Sequence, residues 1–158
     1  IIEITGQALD GPAPFDTTAH SLGEALMAPT RLYQKAAKCA LEIGGVTGIV
    51  HVTGGGLIEN PPRVYSDNLS FRLDCAAAPL PPIFSWLRDA GGIELHELAR
   101  TFNCGIGLII YVSAEKADTC IDALRSGPEP AAAIIGKLES RRELKPVIMN
   151  NLDSWQKS

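Results

Sequence analysis

Three consecutive glycines, Gly54-Gly55-Gly56, follow an apolar and β-branched stretch, Val46-Thr47-Gly48-Ile49-Val50-His51-Val52, and Asn60, Pro61-Pro62 and Arg63 come soon after them. Glycine has no Cβ, so the backbone N–H groups of such a turn can come close to an anion. Arg63 adds a planar, permanent cation of the kind that holds a phosphate, and Thr53 offers a hydroxyl. The run reads in two ways: an oxyanion or phosphate cradle at the end of a strand, or a tight turn with no ligand, because glycine marks turns everywhere. Spacing excludes two other readings. No Lys-Ser or Lys-Thr pair follows the glycines, as a nucleotide hydrolase would require, and the G-x-G-x-x-G spacing of dinucleotide sites is absent.

A second polar patch, Arg100-Thr101-Phe102-Asn103-Cys104-Gly105-Ile106-Gly107, can face the same ligand. Asn103 carries both a donor and an acceptor, which suits a neutral amide-like group, or else it caps and bridges loops. His51 closes the strand ahead of the glycines, either as a catalytic group or as a hydrogen-bonded core residue. Glu59 and Asp74 are possible acid–base groups, with surface or capping roles as the plainer alternative. Cys104 needs an activating base to serve as a nucleophile, and none is adjacent in sequence, so a structural thiol is expected. The other cysteines, Cys39, Cys75 and Cys120, form no C-x-x-C pair with it or one another. That spacing argues against zinc and for reduced, mostly buried thiols in the cytoplasm.

Positioning these groups falls to a chain of 158 residues with 46% apolar content and a formal charge of −4, the size and composition of one domain with a sizeable core. The scattered basic residues give no electrostatic footprint for nucleic acid, and no apolar run is long enough to span a bilayer. Residues 5–20 are broken by Gly6, Gly11, Pro12 and Pro14. Ser21 and Glu24 form a capping box for a short helix to about Ala28. Thr30 can cap a second helix from about Arg31 to Ile43, with Leu32, Ala36, Cys39, Ala40 and Ile43 on one face. Val46 to Val52 reads as a strand buried on both faces, and Ser70 to Asp74 alternates like a half-exposed one. Helices are expected over Pro82 to Ala90, Glu94 to Phe102 and Ser113 to Ser126, the first packing Phe84 and Trp86 into the core. Strands are expected over Ile106 to Val112, Ala132 to Leu138 and Val147 to Met149. The alternation implies an α+β fold, a mixed β-sheet covered by helices.

With these segments placed, the chain resembles the C-terminal domain of the AIR synthase family, the phosphoribosylformylglycinamidine cyclo-ligases of purine biosynthesis. The resemblance spans roughly Ser21 to Gly136. It rests on Pro29-Thr30-Arg31-Leu32-Tyr33, on His51-Val52-Thr53-Gly54-Gly55-Gly56 with Glu59-Asn60 and Pro62-Arg63-Val64, on Pro82-Ile83-Phe84 with Trp86-Leu87, and above all on Arg100 to Gly107. Related families (FGAM synthetase, selenophosphate synthase, thiamine-phosphate kinase, the hydrogenase maturation protein HypE) share the fold and match these segments less well. Gln34 and Pro61 depart from the family's usual apolar residues and leave the polar positions intact.

The resemblance implies a partly ferredoxin-like topology and a single AIR synthase C-terminal domain over residues 1–158. It also implies that the chain is N-terminally incomplete, because an ATP-binding N-terminal domain and a glycine-rich motif bearing Ser, His and Asn belong upstream of Ile1. The implied reaction converts formylglycinamidine ribonucleotide plus ATP to aminoimidazole ribonucleotide, ADP and phosphate. ATP and Mg2+ would be bound mainly by the absent domain, and no cofactor is expected here. The implied partners are the ribonucleotide, the chain's own N-terminal domain and a second subunit in the intact homodimer, with no nucleic acid and no membrane. Implied substrate-binding residues are Thr53, Gly54, Gly55, Gly56, Asn60, Arg63 and Gly105, around the ribose phosphate. Asn103, Thr101 and His51 are the implied catalytic residues, and no metal ligand is expected. On its own the chain is expected to be inactive. The competing reading is a phosphate-ligand binding or interaction domain of a related ATP-dependent family without cyclisation activity.

Overall fold

In the computed structural model, which describes residues 2–142 and 144–156, the irregular stretch expected near the start lies between one helical turn, α1 (Ile2–Thr5), and α2 (Leu22–Leu26). The capping box ahead of α2 is formed: Glu24 N–H donates to the Ser21 hydroxyl at 3.2 Å, and His20 N–H donates to the Glu24 carboxylate at 2.7 Å. Helix α3 (Gln34–Ile43) starts later than Thr30 allowed. Tertiary contacts hold the preceding residues out of it. Arg31 pairs with Glu129 at 2.8 Å and lies 5.9 Å from the Tyr33 ring centre, while Tyr33 sits directly over Gly107. Leu32, expected inward, is 78% exposed as a result. The expected inward faces of α3 and α7 (Ala117–Ser126) do meet, through Ala36, Ala40, Cys120 and Leu124.

Five strands divide between two sheets. β1 (Val46–His51) pairs antiparallel with β3 (Leu108–Val112), with Ile49 opposite Ile110. The mixed sheet is built on β2 (Leu69–Asp74), which has β4 (Gly136–Ser140) antiparallel on one side and β5 (Val147–Asn150) parallel on the other. Two expectations need correction. β1 is not buried on both faces: of its residues only Val50 is buried, because the strand belongs to a two-stranded ladder. β4 begins at Gly136 and not at Ala132, since Ala132 N–H donates to the Glu129 carbonyl at 2.9 Å and spends those residues on a turn.

Between the strands lie one turn of helix, α4 (Gly56–Glu59), then α5 (Pro82–Gly91) and α6 (Leu95–Thr101). The main core includes Leu57, Phe71, Leu73, Leu98 and Trp155. Trp155 is fully buried, and its indole N–H donates to the carbonyls of Cys75 and Ala78 at 3.0 and 2.8 Å. No element is expected in the sequence beyond Met149, so this anchor was not anticipated. Phe84 packs against Phe102 beside the core, whereas Trp86 is half-buried against Phe15 at 5.4 Å. The four cysteines are free. Among the described residues no helix is long and apolar enough to cross a membrane.

Candidate anion-binding turn

The chain leaves β1 at His51 and turns at once. Val52 N–H donates to the Gly107 carbonyl at 2.9 Å, which sets the start of the glycine run beside the end of the second polar patch. Gly55, at φ +95°, and Gly56, at φ +53°, adopt the left-handed conformation that side chains resist. Gly56 is also pressed against the C-terminal end of α6: a Cβ there would lie 2.2 Å from the Ala99 carbonyl oxygen and 2.5 Å from that of Phe102. The two patches singled out in the sequence are therefore contiguous.

One side chain organises the turn. Asn60 is 1% exposed; its Oδ1 accepts from Thr53 N–H at 2.7 Å and its Nδ2 donates to the Gly54 carbonyl at 2.9 Å. Both ends of its amide are thus used internally, and Asn60 braces the turn where the sequence had suggested a substrate contact. Gly56 N–H is spent in the same way, donating to the Thr53 carbonyl at 2.9 Å. The amides of Gly54 and Gly55 make no hydrogen bond among the described residues. Space beside Gly54 is open, with nothing within 4 Å of where a Cβ would stand. The Thr53 side chain is exposed next to them. The Thr53 hydroxyl donates to Asn60 Oδ1 at 3.4 Å, so two free amides and this weakly held hydroxyl are what the turn can offer an anion, fewer than the full run of glycines suggested.

Charges beside the turn are matched. The Glu59 carboxylate lies against Gly55, and Arg100 Nε reaches it at 3.1 Å. Arg100 also approaches Glu97 at 4.0 Å, and the Thr101 hydroxyl donates to Glu97 at 3.3 Å. This Glu59–Arg100 pair was not anticipated, because 41 positions separate its members. Arg63 is exposed on the short 3-10 helix Pro61–Val64 and makes no ion pair among the described residues. Asn103 is half-buried; its Oδ1 accepts from Gly105 N–H at 3.0 Å, which is the loop-bridging role, and its Nδ2 is not engaged by any described residue. Gly105, at φ +88°, is packed on Pro81, where a Cβ would meet Cγ at 2.5 Å.

His51 is exposed at the strand's end, with its ring edge-on to Tyr33 at 5.9 Å, and so is not the core histidine considered as its alternative. Asp74 caps the turn after β2 by accepting from Ala76 N–H at 3.0 Å and from the Asn151 amide at 2.9 Å. Cys104 is buried beneath the patch, and its thiol points to the carbonyls of Leu98 and Phe102 at 3.7 Å each. Burial pushes that thiol up to about 12, with Cys75 nearby adding to the effect. Native Cys104 is therefore expected to react with iodoacetamide at pH 8 roughly a thousandfold more slowly than in the unfolded chain, because its thiolate fraction is that much lower. Mass spectrometry of the labelled peptide under native and denaturing conditions checks this.

Among the described residues no three or more His, Cys, Asp or Glu side chains gather as metal ligands. A family model described as "AIR synthase related protein, C-terminal domain" matches residues 4–148. Among solved structures the chain is similar to the hydrogenase maturation protein HypE from E. coli, with a TM-score of 0.58 and 21% identity. That alignment covers 81% of this chain and 40% of HypE, so the chain spans well under half the length of that relative.

Proposed function

Because this chain belongs to the AIR synthase related proteins, as a C-terminal domain, we propose that it forms the substrate-facing part of a phosphoribosylformylglycinamidine cyclo-ligase. Such an enzyme closes the imidazole ring of aminoimidazole ribonucleotide at the expense of ATP. ATP and magnesium would be held by residues outside this chain. The observation that carries the reading is the braced turn, with Gly54 and Gly55 amides left without partners on an open surface.

Ring closure asks two things of a protein: neutralised phosphate charge and alignment of the two ends of a flexible substrate. On this reading the Gly54 and Gly55 N–H groups donate to the ribose phosphate, the Thr53 hydroxyl joins them by giving up its 3.4 Å bond to Asn60 Oδ1, and Arg63 supplies the positive charge. Asn60 keeps the turn rigid, so little ordering cost remains when the ligand arrives. Glu59 beside the turn would repel a phosphate, and Arg100 offsets that charge. At the reacting end, the free Nδ2 of Asn103 donates to the formyl or amidine group with Thr101 beside it. His51 has no partner here that would fix a proton-transfer role.

Titration of the labelled chain with inorganic phosphate tests the turn. The Gly54 and Gly55 amide resonances are expected to move saturably at millimolar ligand, with the Thr53 and Gly56 amides, already bonded, moving less. Arg63→Gln should weaken binding about tenfold, the worth of a charge-assisted hydrogen bond. An unchanged spectrum at millimolar phosphate would remove the cradle.

A further inference from the structure

Among the described residues four strand edges lack a strand partner, and two of them, those of β3 and β4, line the same cleft. In an antiparallel ladder alternate residues turn their backbone groups toward the neighbouring strand and away from it. Val52 N–H donates to the Gly107 carbonyl, and the register continues with Val50 opposite Ile109. Leu108, Ile110 and Val112 of β3 therefore direct N–H and C=O away from β1. On the other sheet, Asp74 N–H donates to the Ile135 carbonyl at 2.8 Å, and Arg72 stands opposite Lys137. Gly136 and Leu138 of β4 direct theirs away from β2. Among the described residues no strand pairs with either outward edge.

Both edges line one cleft of about 670 Å3, walled mainly by apolar side chains such as Ile106, Ile121 and Leu124, with the Arg31–Glu129 pair and Lys137 also on its lining. Filled with water it would hold about 20 molecules at ~30 Å3 each, hydrogen-bonded to the two strand edges but set against apolar side chains elsewhere. Solvent-facing edges are usually guarded by charge, proline or a bulge. β3 reads Leu-Ile-Ile-Tyr-Val and carries neither charge nor proline. Its two faces are also spoken for. Leu108, Ile110 and Val112 pack with the α3–α7 cluster, while Ile109 and Tyr111 belong to the main core. A chain lying beside β3 would be covered on both faces, which calls for a continuous apolar strand.

We propose that this cleft is a strand slot. An extended peptide of about five uncharged, β-branched residues, matching the five-residue lengths of β3 and β4, inserts between them. It belongs to a polypeptide segment outside these 158 residues, and it joins the two sheets into one continuous sheet. The slot does not depend on the ligand of the glycine turn.

The probe is the blocked peptide Thr-Val-Ile-Val-Val-Thr, compared with the same peptide N-methylated at every second residue, which strips the donors from one edge. Each is added at millimolar concentration to the labelled full chain. The parent peptide should slow amide exchange about tenfold or more at Leu108, Ile110, Val112, Gly136 and Leu138, with the methylated peptide binding about tenfold more weakly. Equal binding of the two peptides would make the cleft a general apolar pocket and overturn the proposal, as would protection elsewhere or no binding. Sedimentation velocity supplies the remaining arm. Edge amides protected without peptide in a dimeric sample would assign the slot to a second copy and overturn it as well.

Discussion

Asn60→Ala is expected to lower stability by about 2–4 kcal/mol and to abolish the phosphate response of the turn together. The stability loss combines two short hydrogen bonds, a longer third one from the Thr53 hydroxyl and a small cavity at a site that is 1% exposed. Loss of binding has a different origin. Without the brace, Thr53 N–H and the Gly54 carbonyl are released, and the unpartnered amides of Gly54 and Gly55 no longer share a fixed direction. Urea unfolding measures the first effect and the phosphate titration the second, on folded variant at low urea. Asn60→Asp separates them further. It keeps an acceptor for Thr53 N–H, loses the donor to Gly54, and places a carboxylate where almost no water reaches. It should be at least as unstable as the alanine variant. A stable Asn60→Ala protein that still binds phosphate would show that the turn holds itself.

Gly56→Ala should be the most destabilising exchange within the glycine run. A Cβ there would stand 2.2, 2.5 and 2.9 Å from the backbone oxygens of Ala99, Phe102 and Arg100, none of which is the end of a flexible side chain. The residue also sits at φ +53°, which costs an L side chain further energy. Together these predict a loss of about 3–5 kcal/mol, or a fall in melting temperature on the order of 10 °C for a domain of this size. Gly54→Ala provides the contrast. Nothing lies within 4 Å of its Cβ position, and its φ is not positive. It should melt within a degree or two of the parent yet crowd the approach to the free amides and weaken phosphate binding. If the two variants melt alike, the account of Gly56 packed on α6 is wrong.

Much of the fold was readable in local signals, each of which acts over a few residues. The Ser21 capping box, the proline-led start of α5 and the glycines that follow it are examples. So is the alternation in β2 from Phe71 to Asp74, which its burial follows, whereas Ser70 is buried through its bond to the Lys145 carbonyl. Errors arose where distant residues intervened. Arg31 and Tyr33 stay outside α3 because Glu129 and Gly107 hold them, and β1 is poorly covered because β3 is its one strand neighbour among the described residues. Trp155 carried no local sign that it would be fully buried in the core.

For the candidate site the division is similar. That Thr53 to Arg63 forms a turn able to bring amides near a ligand follows from residue types alone, and the family resemblance read over roughly Ser21 to Gly136 is matched by a family model over residues 4–148. Which amides stay available was decided by the tertiary structure. Asn60 takes Thr53, the turn's own carbonyl takes Gly56, α6 closes over Gly56, and Gly54 and Gly55 are left. The unpaired edges of β3 and β4 were likewise beyond sequence reading. The physical reason is common to both: a residue type fixes what a backbone group is able to bond, but whether that group is already bonded depends on neighbours that only the folded chain brings within reach.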